Sequence, residues 1–104
     1  MSLKLNIIEI FNSKDKIIQK IVKDKITLEI VILLLKYDTE KKYMYADKFL
    51  ENNNIKASRS TKIAIIQDLE IHKILERKID DKDKRKKIIS ISGIAKDKLS
   101  QYLD

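Results

Sequence analysis

The chain contains no cysteine, which excludes disulfides, thiolate zinc sites and thiol redox sensing. It has no proline and a single glycine, Gly93, so neither a phosphate-binding P-loop nor a dinucleotide-binding glycine fingerprint can be written in it. One histidine, His72, is too few for a histidine-built metal site. Long apolar runs are missing too. The longest, Ile30 to Leu35, is far short of a membrane span, and the N-terminus lacks the apolar core of a signal peptide. No nucleophile with a neighbouring base stands out, so catalysis is not expected. These absences leave the expectation of a soluble, cytoplasmic, non-enzymatic domain with no metal, no cofactor and no membrane partner.

What is present is charge and isoleucine. The 104 residues are the length of one domain, 43% hydrophobic and 38% charged with both signs, a composition that packs a core. The net charge is +7, and it is uneven: residues 1–55 hold 10 cations and 8 acids, residues 56–104 hold 13 and 8. An excess of this sign points to an anionic partner, with nucleic acid first.

Twenty isoleucines suit helix and strand alike, so spacing must decide. Leu3, Ile7, Ile10, Phe11, Ile17, Ile18, Ile21 and Val22 recur every three or four residues and predict a helix over 3–24, either core or a partner surface. Asn12 and Ser13 are positioned to break it, with Ser13 as an N-cap for the second half. Thr27 is placed as the next N-cap, ahead of a run so apolar that its helix must be central and buried. A short helix with Ala46, Phe49 and Leu50 precedes the turn Asn52-Asn53-Asn54. Ser58 then opens a helix whose inward residues are Ile63, Ile66 and Leu69. From residue 74 the period changes: ILERKI and KKIISIS read as two strands of a hairpin with DDKDKR at its tip. A last helix follows Gly93, with Leu99 and Tyr102 or Leu103 inward.

Two short helices, a turn and a charged hairpin form an order suited to DNA. The helix opening at Ser58 offers backbone N–H groups and a positive dipole end beside Arg59, Ser60, Thr61 and Lys62. Such groups can meet phosphate and base edges in a major groove. The hairpin tip adds Lys82, Lys84, Arg85, Lys86 and Lys87, with Asp83 the one acid among them. The bland readings are a solubilising tip and ordinary surface residues. Tyr43 and Tyr45 either stack on unpaired bases or, as is commoner, pack a short strand. Asp80, Asp81 and Asp83 read as a self-compensated turn rather than a magnesium site, and His72 as a half-exposed residue near a helix end.

Ser60, Thr61, Ile65, Ile66, Leu69, Glu70, Ile74, Leu75, Glu76 and Arg77 stand where MarR-type winged-helix regulators, the SarA branch included, carry their recognition helix and following strand. Asp83-Lys84-Arg85 matches that family's D-x-R wing signature. Residues 90–95 resemble the segment that closes its wing, and ITLEIVILLL resembles its buried helix. The chain thus resembles this family over roughly residues 26–100. The resemblance implies an α+β, mainly α, winged helix-turn-helix of about five helices with a two- to three-stranded β-wing. It implies one domain over 1–104: a helix at 3–24 as dimer or partner arm, a core at 26–92 and a short helix at 93–104. It also implies DNA binding through Ser58–Lys62 and the wing, with Arg77 and Asp83 holding the wing's shape and Asp83 paired to Arg77 or Arg85.

The departures from that pattern are Ala64 in place of an arginine, and Lys73 and Ala95 in place of glycines. The C-terminal dimer arm is expected to be nearly absent beyond Leu103 and Asp104. Two roles follow. One is a transcriptional regulator dimerised through its N-terminal helix. The other is a DNA-binding accessory subunit of a larger enzyme, which 20 lysines against three arginines favour, because lysine supplies charge without forked base recognition. In size and Lys/Ile/Asn-rich composition the chain also resembles the small protein encoded beside a primase-polymerase in Gram-positive mobile elements. That likeness implies a tight complex with the enzyme and single-stranded DNA binding.

Overall fold

A computed structural model describes residues 5–52 and 54–103; Leu3, Asn53 and Asp104 lie outside the described residues. The elements run α1 (Ile7–Phe11), α2 (Lys16–Val22), α3 (Lys25–Thr39), β1 (Met44–Tyr45), α4 (Ala46–Leu50), α5 (Arg59–Ile71), β2 (Leu75–Ile79), β3 (Lys87–Ile91) and α6 (Gly93–Ser100). The fold is α+β and mainly helical, with one antiparallel sheet in the order β1-β3-β2.

Each helix start has a local cause. Asn6, Asp15, Asp24, Ser58 and Ser92 cap α1, α2, α3, α5 and α6 by accepting from backbone N–H groups two or three residues on. Two sequence expectations are corrected here. Ser13 is not the cap of α2: its hydroxyl accepts from Asp15 N at 3.1 Å and from the Tyr102 hydroxyl at 2.7 Å, leaving Asp15 to cap. Thr27 does not cap α3 either. Asp24 does, accepting from both the backbone N–H and the hydroxyl of Thr27, which sits one turn in and is buried.

Two helices end on lysines in the left-handed region. Lys41 follows α3 at φ 56° and Lys73 follows α5 at φ 60°. Lys73 N donates to Glu70 O and Ile74 N to Leu69 O, a Schellman turn sealed by the buried pair Leu69 and Ile74.

In α3, Thr27, Ile30, Val31, Leu34 and Leu35 form one buried stripe, and this helix lies at the centre as its composition predicts. The same core takes in Ile18 and Ile21 of α2, Phe49 of α4, Ile66 and Leu69 of α5, Ile89 and Ile91 of β3, and Ala95 and Leu99 of α6. Burying a side chain the size of Ile30 or Phe49 contributes about 1.5–3 kcal/mol.

Of the two readings of the stripe over residues 3–24, core or partner surface, its buried members belong to the core. The helix breaks between Phe11 and Lys16, where Asn12 and Ser13 were expected to break it, so six helices are present among the described residues rather than about five. Ile10, Ile18 and Ile21 are fully buried in the core, so α1 and α2 belong to the body of the domain. Among the described large apolar residues of this segment, Ile7, Ile8 and Phe11 point outward, at 52%, 76% and 51% exposure. The two chain ends are tied together: Leu5 bridges Leu103, Asn6 N donates to Tyr102 O, and Lys98 of α6 pairs with Asp15.

Candidate nucleic-acid interface

Helix α5 begins with Ser58, Arg59 and Ser60 exposed and Thr61 half-buried. The Ser58 hydroxyl accepts from Thr61 N at 3.1 Å and is bonded to the Thr61 hydroxyl at 2.9 Å. That closes the N3 position and leaves the N–H groups of Arg59 and Ser60 directed out of the helix end, with no protein partner among the described residues. Backbone donors, a dipole end and the Arg59 guanidinium thus share one exposed surface.

Lys62 does not join them. Expected as an exposed contact, it is 4% exposed, and its ammonium donates to Asn52 O at 2.6 Å and reaches Leu50 O at 3.5 Å. It neutralises the carbonyl end of α4 and fixes the turn between the two helices. The phase of α5 is the reason. The inward stripe is Lys62, Ile66 and Leu69, while Ile63, expected inward, is half-buried in a hollow with Ala46, Leu50, Gln67, Arg77 and Ile89. The 62, 66, 69 spacing was present in the sequence, but a lysine masked its first member.

The hairpin tip is exposed at Lys82, Lys84, Arg85, Lys86 and Lys87 and held from within by two aspartates. Asp80 accepts from the Tyr45 hydroxyl at 2.9 Å and from Lys82 N at 3.0 Å, and its own N–H donates to Lys86 O. These bonds, the one from Lys82 N foremost, hold the Asp80 carboxyl below its usual range, and the Tyr45 phenol is pushed up by the same contact. Asp83 accepts from both the backbone and the guanidinium of Arg85, which lower its pKa. Lys86 lies 5.1 Å from the centre of the Tyr45 ring, a cation–π distance.

Asp83 accordingly pairs with Arg85, not Arg77. Arg77 donates to Glu70 at 2.7 Å and fastens β2 to α5. Tyr45 acts through Asp80, whereas Tyr43 stands 68% exposed. The Tyr45–Asp80 clamp joins residues 35 apart, and no local pattern could have revealed it. His72 caps the end of α5 with its ring nitrogen 2.8 Å from Asp68 O.

The helix start and the tip are linked through β2. Ile74 is bonded to Leu69, and Arg77 meets Glu70 and shares a hollow with Gln67 and Ile63, so β2 runs back along α5 toward the helix's first turn. Lys82, Lys84 and Lys87 have no ion-pair partner among the described residues. Solvated cations and open backbone donors can each bind anions. Among the described residues, no group of three or more His, Asp or Glu side chains could hold a metal ion, and no helix is long and apolar enough to cross a membrane. No protein-family model, curated protein or solved structure matches the chain.

Proposed function

We propose that the chain is a winged helix-turn-helix protein that binds DNA without catalysing a reaction, acting in the cytoplasm as a transcriptional regulator. In this reading α4, the Asn52–Ser58 turn and α5 form the helix-turn-helix, and β2–β3 is the wing. The observation that carries it is the joint exposure of the α5 N-terminus and the five cations of the tip, on elements that run back along each other. Ser58, Arg59, Ser60 and Thr61 enter the major groove, and Lys82, Lys84, Arg85, Lys86 and Lys87 meet the phosphate backbone. Arg77 and Asp83 hold the wing in shape, and Lys62 acts from inside by setting the helix–helix turn.

Binding to a panel of duplexes across a salt series tests this. Arg85→Ala combined with Lys86→Ala should weaken all sequences alike and reduce the salt slope by up to about two. Arg59→Ala should cost about 1–3 kcal/mol on preferred sequences and little on others. Neither variant altering binding to any DNA would end the proposal.

A second reading, an accessory DNA-binding subunit of a replication enzyme such as a primase-polymerase, is favoured by the cation chemistry. Arg59 is the sole arginine at the helix start, and Arg85 is engaged by Asp83, so the forked donors that read bases are few. Under that reading binding is salt-steep, indifferent to sequence and present on single strands. The outward face of Ile7, Ile8 and Phe11 would then meet the enzyme.

A further inference from the structure

The two faces of the sheet have different surroundings. On one, Leu75 and Ile91 are buried in the core, and Arg77, paired across from Ile89, reaches Glu70 of α5. Side chains alternate along a strand, so Glu76, Lys78, Ile88 and Ser90 turn to the opposite face. Tyr43 and Tyr45, on either side of the buried Met44, turn the same way. That face holds a cleft of about 410 Å³. Tyr37 and the Lys41–Tyr43 turn wall it on one side, Glu76 and Lys78 on the other, and β3 runs between them. Its volume lies within the roughly 300–1,000 Å³ of small-ligand sites.

The lining defines what fits. Tyr45 is already engaged, its ring by Lys86 and its hydroxyl by Asp80. Tyr43 is 68% exposed and has neither kind of contact among the described residues, which leaves its ring free to stack on a base. The lysines Lys41, Lys42, Lys78 and Lys96 outnumber the acids Asp38 and Glu76. Lys96 is spent on Asp38 at 2.6 Å, and Lys42 lies 3.7 Å from Glu40. Lys41 and Lys78 are exposed and form no ion pair among the described residues, so they can meet phosphate. Glu76 stands across from Ser90, where the two can meet the hydrogen-bonding edge of a base rather than its phosphate. The last turn of α3 does not present bare acceptors to that anion: Lys36 O accepts from Glu40 N, Tyr37 O from Lys42 N and Asp38 O from Lys41 N.

We propose that this cleft holds one unpaired nucleotide of a single-stranded nucleic acid, its base stacked on Tyr43 and its flanking phosphates at Lys41 and Lys78. Continuity favours a strand over a free nucleotide, because Lys78 and then Lys86 follow along the same face toward the cationic hairpin tip. The site lies on the face turned away from Arg77 and α5, so it is separate from the surface assigned to duplex DNA.

Fluorescence anisotropy of the full chain with a labelled single strand of about ten nucleotides is the test, beside a duplex of the same length. The wild-type chain should bind the single strand. Tyr43→Ala should weaken that binding by at least about fivefold, whereas Tyr43→Phe, which keeps the ring, should stay within about twofold of wild type. Lys41→Ala combined with Lys78→Ala should lower the single-strand salt slope by up to about 1.4. Duplex binding should be indifferent to Tyr43→Ala and weakened by Arg59→Ala, so the two surfaces can fail independently. Deoxycytidine monophosphate should displace the labelled strand only at about a hundredfold or more above the concentration of unlabelled strand that does so. Equal potency would give the cleft to free nucleotides and overturn the strand assignment. Circular dichroism confirms that the variants are folded, and should Tyr43→Ala fail to fold, the salt slope decides alone. A wild-type chain that ignores single strands, Tyr43→Ala binding as wild type, Tyr43→Phe as weak as Tyr43→Ala, or an unchanged slope would each overturn the proposal.

Discussion

The hairpin tip with the start of α5, and the seam where α6 closes on α2 and α3, are built from the same few residue types. They differ in what their cations touch. At the seam lysines meet acids on other elements: Lys98 pairs with Asp15 of α2, Lys96 with Asp38 of α3 at 2.6 Å, and Lys20 of α2 with Asp68 of α5 at 2.7 Å. At the tip the aspartates bond to the tip and to Tyr45, and Lys82, Lys84 and Lys87 are left to solvent. A paired cation holds the fold, while a solvated one remains available to a partner. The difference is set by tertiary position, because the residue types alone are indistinguishable.

Lys62 tests that division most severely, standing one helical turn from Arg59 but behaving like the seam. Lys62→Ala strips the carbonyls of Leu50 and Asn52 of their donor and opens a void where the alkyl stem packed. The expected loss is about 2–3 kcal/mol, or roughly 10 °C in melting temperature. The DNA affinity of the remaining folded protein should be unchanged, to be measured below the new transition. An intact melting temperature with lost DNA binding would return Lys62 to the interface.

How far the sequence reached follows the same line. The central α3, the α5 start at Ser58 and the hairpin were legible because their signals are local: a helical stripe, a hydroxyl before it, a period change around a polar tip. The caps at Asp15 and Asp24 were missed by two and three residues because Ser, Thr and Asp can all cap. The choice at Ser13 was made by Tyr102, 89 residues away. Ile10, Ile18 and Ile21 gave a stripe that was correctly helical, yet the sequence could not say whether core or partner would cover it. For the candidate site, the cations were legible as a group. Which of them the fold would enclose was not, since Lys62 is taken by carbonyls at and just past the end of α4, ten or more positions earlier.

Acid tests the seam next, with a smaller effect, the tip aspartates being held low as well. Lys98 holds the Asp15 carboxyl below its ordinary pKa, Lys20 does so for Asp68, and the Thr27 N–H does so for Asp24. The unfolded chain therefore takes up protons first as pH falls. The stabilisation is complete above the unfolded carboxylate value of about 4 and is lost as pH drops through the lower folded values. Asp15→Asn keeps a competent N-cap but removes the ion pair. Both partners are partly exposed, so the cost at neutral pH should be at most about 1 kcal/mol, shrinking toward zero in acid. Urea unfolding at several pH values measures it. A cost that stays constant with pH would mean that the cap geometry, not the Lys98 pair, is what Asp15 contributes.

The smallest effect bears on whether cations matter wherever they are exposed or only at the tip. Lys73 is exposed and positive, but its backbone is in the left-handed region at φ 60°, where a Cβ is strained by about 1–2 kcal/mol. Lys73→Gly relieves that strain and gives the unfolded chain more freedom, which offsets about 0.4–1 kcal/mol of the relief. A net gain of about 0.5 kcal/mol should remain, raising the melting temperature by roughly 2–4 °C. The same change removes one positive charge. If DNA meets the protein at the tip and the start of α5, the salt slope of binding should not move, whereas removing a tip cation lowers it by up to about one. A slope that falls equally for Lys73→Gly and for Lys84→Ala would show that net charge, rather than placement, governs the interaction, and the contrast between the tip and the seam would lose its functional meaning.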